Sequence, residues 1–147
     1  MPGTRFRLRR WLGEGGMGVV YEAEHVDLER AVALKILRAH VADRDDERER
    51  FRQEARMTTR IESPHVVNVL DFGLLPDGRV FYAMELLDGR PLSAEIGEGP
   101  IAPERAIGLL RQMSAGLAAA HRAGVIHRDV KPDNAMVVRD KSGRACV

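Results

Sequence analysis

A single lysine inside an otherwise apolar run, Val32-Ala33-Leu34-Lys35-Ile36-Leu37, limits what this chain can become more than any other feature. The run reads as a buried strand, and a cation in the middle of a buried strand is costly unless an anion meets it. The fold must therefore deliver a partner to Lys35; a surface lysine on an edge strand is the competing reading. Just upstream, Leu12-Gly13-Glu14-Gly15-Gly16-Met17-Gly18-Val19-Val20-Tyr21 sets glycines at 13, 15 and 18. Glycines suit a backbone that turns sharply and brings its N–H groups close to phosphate oxygens. A dinucleotide-binding fold also uses G-x-G-x-x-G, but there the glycines open a helix. Here they lead into Val19-Val20-Tyr21-Glu22-Ala23-Glu24, a β-branched and aromatic run, so a hairpin folded over a nucleotide is the better reading.

The next segment offers the anion. From Asp43 to Ile61 the chain reads as a helix with an acidic first turn, an Asp46 to Arg50 pair at i,i+4, and a sparse apolar side made by Phe51, Ala55, Met57 and Ile61. Glu54 falls on or beside that side and is the favoured carboxylate for Lys35. Glu47 and Glu49 lie in the more solvated part and rank below it. Further on, Val66-Val67-Asn68-Val69-Leu70 reads as a strand ahead of the turn Leu75-Pro76-Asp77-Gly78, which puts Asp71-Phe72-Gly73 at a strand end. Arg79 to Gly89 reads as another strand running into a short connector. The helix expected over Pro103 to Ala123 starts on a proline, stops before Gly124, and sets Ile107, Leu110, Met113, Leu117 and Ala120 in an apolar stripe.

The densest chemistry lies in His127-Arg128-Asp129-Val130-Lys131-Pro132-Asp133-Asn134. An Asp carboxylate can orient an incoming hydroxyl, a Lys ammonium can neutralise charge on a moving phosphoryl group, and an Asn amide oxygen can hold magnesium. This stretch resembles the catalytic loop of protein kinases, with the lysine two residues after the Asp as in the serine/threonine type. Together with the glycine hairpin and the strand lysine, in that order, it is similar to the bacterial, eukaryotic-like serine/threonine protein kinases.

The resemblance implies an α+β fold: a five-stranded antiparallel small lobe with one helix, over 1–87 with the hinge, and a truncated, mainly helical large lobe over 88–147. It implies ATP and Mg2+ as cofactors and a Ser/Thr-bearing protein as substrate. Asp129, Lys131, Asn134, Lys35 and Glu54 would be the catalytic set, with Asn134 the metal ligand. Leu12, Gly13, Gly15, Gly16, Gly18, Val20, Ala33, Lys35, Met84, Glu85, Leu87 and Met136 would bind the nucleotide: the glycines over the phosphates, Met84 at the back of the pocket, the Glu85 and Leu87 backbones on the adenine edge, and Val20, Ala33 and Met136 against its faces. His127 would be scaffold. The family's principal metal-binding Asp follows the catalytic-loop Asn and is not reached by Val147, and Asp71-Phe72-Gly73 lies too early to supply it. The resemblance thus covers the N-terminal part of a kinase domain. It carries two expectations: weak nucleotide binding with negligible transfer by the isolated chain, and an apolar stripe on the 103–123 helix left uncovered for association. The alternative function is a truncated, catalytically inactive nucleotide-binding or interaction module.

Composition narrows the remaining classes. With 147 residues, 44% of them hydrophobic, and a formal net charge of +1, the chain can bury a core and lacks the basic excess of a nucleic-acid-coating protein. The lone Cys146 excludes an internal disulfide framework. No stretch reaches membrane-spanning length and Met1 to Arg10 lacks a signal-peptide core, so a cytoplasmic location is expected. His25, His40, His65 and His121 have no metal-type spacing. Arg5, Arg7, Arg9 and Arg10 alternate with Phe6 and Leu8 as in a strand with one solvated face. Ala135 to Arg139 and a segment near Ala145 read as short strands around a turn at Asp140 to Arg144.

Overall fold

Strand β1 (Phe6–Glu14) carries the basic alternation, β2 (Gly18–His25) follows the glycines, and β3 (Arg30–Leu37) carries Lys35. The computed structural model describes residues 4–15, 17–39, 45–139 and 145–146. Helix α1 (Asp45–Thr58) precedes β4 (Val69–Leu74) and β5 (Val80–Glu85). These five strands form one antiparallel sheet in the order β1-β2-β3-β5-β4. β6 (Gly89–Pro91), β7 (Met136–Arg139) and β8 (Ala145–Cys146) form a second, small sheet, and α2 (Leu92–Gly97) and α3 (Pro103–Arg122) lie between β6 and β7. One compact unit runs to Thr59 and resumes over Val67–Leu86; the other takes Arg60–Val66 and the described residues from Leu87 onward.

Strand alternation gives the first unit two apolar faces. Val32, Leu34 and Ile36 of β3 join Phe6, Ala23, Leu75, Phe81 and Ala83 on one side. Leu37 joins Val80 and Tyr82 on the other, where α1 packs its Phe51 and Ala55. Residues 51 and 55 are four apart, one above the other on a helix, which is why two buried side chains suffice to seat so charged a segment. The helix is shorter than the sequence suggests. It ends at Thr58, Met57 is exposed, and Ile61 lies beyond the helix and packs instead with Ala119 and Ala120 of the second unit. Among the described residues Arg50 reaches Glu47 at i,i+3, 3.3 Å away. Asp43 and His40 lie outside the described residues.

Asp71-Phe72-Gly73 lies inside β4, which begins at Val69, later than expected, and continues to Leu74. Gly73 faces the Phe81 ring so closely that a β-carbon would sit 2.7 Å from it. The following turn forms as its residues dictate, with Gly78 at φ +81° donating to the Leu75 carbonyl at 2.9 Å.

In the second unit, α3 starts on Pro103 and stops with a Schellman closure: Val125 N donates to Ala120 O at 2.9 Å and Gly124 N to His121 O at 3.0 Å, with Gly124 at φ +76°. Its buried residues are Leu109, Gly116, Ala119 and Ala120. The expected stripe therefore divides: Ala120 is buried, while Ile107 and Leu110 are 58% and 59% exposed. Leu109 packs with Leu92, Ala135 and Val137, the seat of the loop between α3 and β7. Gly116 lets the chain at His65 approach, since a β-carbon there would lie 2.9 Å from the His65 carbonyl. Glu95 is buried on α2 and is matched by Arg105 at 2.5 Å and Arg90 at 3.8 Å, as a buried carboxylate requires. β7 pairs β8 through Val138 and Cys146, and the turn at 140–144 lies outside the described residues. Among the described residues no helix is long and apolar enough to cross a membrane.

Candidate active site

In the first unit the antiparallel register fixes the surroundings of Lys35. Val20 of β2 and Tyr82 of β5 are its cross-strand neighbours, and Ala33 stands opposite Met84. The Lys35 ammonium meets Glu54 Oε1 at 2.7 Å, joining β3 to α1 across 19 residues of sequence. Glu47 pairs with Arg50 and, with only 13% of its side chain exposed, is less solvated than its place in the sequence suggests, whereas the exposed Glu49 pairs with Arg52 and Gln53. The ammonium also lies 5.8 Å from the centroid of the Phe51 ring and 5.5 Å from that of Tyr82, so its stem runs along an aromatic wall. Sequence reasoning missed Tyr82 as a polar partner. Its hydroxyl donates to the same Glu54 oxygen at 2.7 Å. Burial, and then the neighbouring carboxylate, push the Tyr82 phenol far above its ordinary range, so it stays protonated and remains a donor. The signal in the sequence was a tyrosine at a β5 position of the same parity as Val80 and Met84, hence on the α1 face.

The glycines divide into two kinds. At Gly18 a β-carbon would sit 2.9 Å from the Ile36 carbonyl, so the sheet itself requires a glycine. At Gly13 and Gly15 it would meet nothing within 4 Å, so packing makes no such demand and the space beside them is open. That open cradle fits a phosphate tail. Gly15 N donates to Gly18 O at 2.9 Å to close the hairpin, and Arg38, just after β3, holds Glu14 at 3.0 Å. Gly16 lies outside the described residues. Leu12, Val20 and Met84 are half-buried and Ala33 is buried. The Glu85 N–H donates to Asn68 O at 3.0 Å, so an adenine contact by the Glu85 backbone would have to use its carbonyl.

In the second unit, Leu87 and Met136 are half-buried, and the loop at His127–Asn134 folds on itself. Arg128 takes a left-handed conformation at φ +63°, unusual for a residue with a β-carbon, and the next N–H, that of Asp129, returns to the His127 carbonyl at 2.9 Å. A 3-10 turn at Pro132–Asn134 then brings Asn134 back: its amide donates to the Asp129 carbonyl at 2.8 Å and to Asp129 Oδ2 at 2.9 Å. Lys131 Nζ reaches the same Oδ2 at 2.8 Å. Lys131 and then Asn134 hold the Asp129 carboxyl below its ordinary range, and Asp129 in turn raises Lys131. Both groups are therefore charged at neutral pH. With Oδ2 doubly engaged, Asp129 Oδ1 is the oxygen left to accept a proton. The Asn134 nitrogen faces Asp129, which leaves its Oδ1, a hard-cation ligand, pointing elsewhere. Among the described residues no three His, Cys, Asp or Glu side chains gather as a metal centre. A magnesium ion at Asn134 would thus need phosphate oxygens and water to complete its shell, the usual habit of that ion.

A five-stranded antiparallel sheet with one packed helix, followed by a mainly helical unit that presents an Asp-Lys-Asn loop, is the architecture of the protein kinases. The chain aligns with the crystal structure of the Mycobacterium tuberculosis PknI kinase domain at a TM-score of 0.80 and 27% identity, covering 97% of this chain and 57% of that one. The protein kinase domain family model matches residues 6–146, and the chain belongs to that family. Its relatives include the serine/threonine-protein kinase PknE of Mycobacterium bovis, 47% identical over 142 residues, or 94% of this chain and 25% of that protein. PknH of Mycobacterium tuberculosis is 44% identical over 92% of this chain and 22% of its own length. Pkn2 of Myxococcus xanthus is 43% identical over 95% and 17%. The chain thus spans a quarter or less of these curated relatives.

Proposed function

We propose that this chain serves ATP-dependent phosphoryl transfer to Ser or Thr hydroxyls of protein substrates, with 1–87 as small lobe and hinge and 88–147 as part of the large lobe. The observation that carries this reading is the Asp129 carboxylate, one oxygen bound by Lys131 and Asn134 and the other left as a proton acceptor. In the reaction, Asp129 Oδ1 accepts a hydrogen bond from the substrate hydroxyl and orients its lone pair toward the γ-phosphoryl. Lys131, held beside it, offsets charge on the moving group. Asn134 Oδ1 is the ligand this loop offers to magnesium, which when bound neutralises phosphate charge. Lys35, kept in place by Glu54, would hold the α- and β-phosphates, with Gly13, Gly15 and Gly18 of the hairpin over them. Leu12, Val20, Ala33, Met84 and Met136 contribute apolar surface to the adenine, with the backbone at Glu85 and Leu87 on its edge. ATP as co-substrate fits a cytoplasmic location.

The relatives named as serine/threonine-protein kinases favour this reading over a catalytically inactive module. The test uses the gene product that carries this sequence, labelled ATP, magnesium and a general acceptor protein. Asp129→Asn and Lys35→Met are each expected to lower transfer by about 10²–10⁴-fold. Transfer at the wild-type rate in both variants sinks the reading.

A further inference from the structure

The Tyr82 hydroxyl has a use that neither the sheet nor the helix needs for packing. Its ring is buried against Phe51, 5.0 Å between centroids, and a phenylalanine would fill the same space. The hydroxyl adds one interaction, the bond to Glu54 Oε1 at 2.7 Å, on the same oxygen that receives Lys35 at 2.7 Å. Glu54 needs such a tether, because its side chain is 37% exposed and a free carboxylate at a helix surface is drawn toward water. Lys35 has three N–H donors and places one on Glu54, so two remain to be aimed. The direction of those two follows from where Oε1 sits. Oε1 is fixed from the helix side by its own backbone and from the sheet side by Tyr82, the cross-strand neighbour of Lys35.

We propose that Tyr82 is a positioning residue for phosphate binding: its hydroxyl fixes Glu54 Oε1 so that the Lys35 ammonium is oriented before a nucleotide arrives. This deepens the phosphotransfer reading and rests on it. The hydroxyl never touches the nucleotide and acts only through Glu54 and Lys35. Preorganisation of this kind strengthens binding by removing the ordering cost from the binding step. Because the phenol stays protonated, the tether persists across the range in which kinases work.

A double-mutant cycle on the gene product that carries this sequence separates the alternatives. Dissociation constants for ATP with magnesium and for adenosine are measured by calorimetry in the wild type, Tyr82→Phe, Lys35→Met and the double variant. Tyr82→Phe is expected to weaken ATP about tenfold, the scale of one hydrogen bond to a charged group, with adenosine unchanged. In the Lys35→Met background the same substitution should cost ATP nothing further. Unchanged ATP affinity in Tyr82→Phe overturns the proposal. So does an equal loss for adenosine, or an equal loss in both backgrounds, since a purely structural role moves all of these together. A Tyr82→Phe protein that no longer melts cooperatively assigns the hydroxyl to the fold and overturns it as well. If Lys35→Met itself leaves ATP binding at wild-type strength, the phosphotransfer reading fails and takes the proposal with it, a result distinct from the others.

Discussion

The two units hold the same chemical pair, a lysine ammonium on a carboxylate, at nearly the same distance: 2.7 Å for Lys35 and Glu54, 2.8 Å for Lys131 and Asp129. They build it in opposite ways. The first joins residues 19 apart and exists only because α1 packs on the sheet, between the rings of Phe51 and Tyr82. The second joins residues two apart in a loop closed by Asn134, and it lies in solvent. Lys35 has 20% of its side chain exposed and Lys131 has 48%. A pair assembled by tertiary packing reports on the state of the fold. A pair assembled by a local turn is insulated from it and contributes little to stability, because water and salt screen it.

The largest expected effect tests whether that loop pair is chemical rather than structural. Asp129→Asn should reduce transfer by about 10²–10⁴-fold while the melting temperature stays within about 1 °C of wild type, read by steady-state kinetics and thermal denaturation. A large fall in melting temperature would erase the distinction. Phe51→Ala probes the other side. Phe51 is fully buried, and removing it should cost about 3–5 kcal/mol in denaturant unfolding. A loss under about 1 kcal/mol would mean that α1 is seated by charge rather than by apolar contact.

The glycines refine the contrast at smaller scale. Gly18→Ala drives a β-carbon against the Ile36 backbone and should destabilise by about 1–3 kcal/mol. Gly13→Ala has open space around it and should leave stability nearly unchanged. Its cost, if phosphates use that space, appears in ATP affinity measured by calorimetry.

The smallest effect is the acid titration of Asp129. Its carboxyl is held below 3.8 by Lys131 and Asn134, so the stability it contributes is complete above that value and is lost only as pH falls through the lower folded midpoint. A titration followed by NMR should place the midpoint below 3.8, and added salt should move it back upward. A midpoint at or above 3.8 would show that the loop contacts do not persist in solution.

The division between local and packed also explains how much could be read in advance. The clustering of Asp129, Lys131 and Asn134 in one loop, the Schellman stop at Gly124 and the turn at Gly78 were legible because each depends on neighbours a few positions away. Glu54 was legible as the partner of Lys35 because helical spacing ties it to Phe51 and Ala55. Tyr82 was not, since its role needs the β3–β5 register, which no periodicity reveals. Ile61 was assigned to the wrong element because its apolar spacing continues the helix pattern past the true end at Thr58. On α3 the three- and four-residue spacing of Ile107 and Leu110 pointed to one face, whereas contacts with the β6–β7 sheet and the 60–66 segment bury Leu109 and Gly116 instead.

The position of Asp71-Phe72-Gly73 inside β4 has a practical bearing on experiment. The Asp71 carboxylate accepts the N–H of Phe72 at 2.8 Å, and Gly73 makes room for an aromatic ring. Anyone choosing an inactive control by spotting those three letters would alter a rung of the sheet and leave the loop at Asp129 untouched.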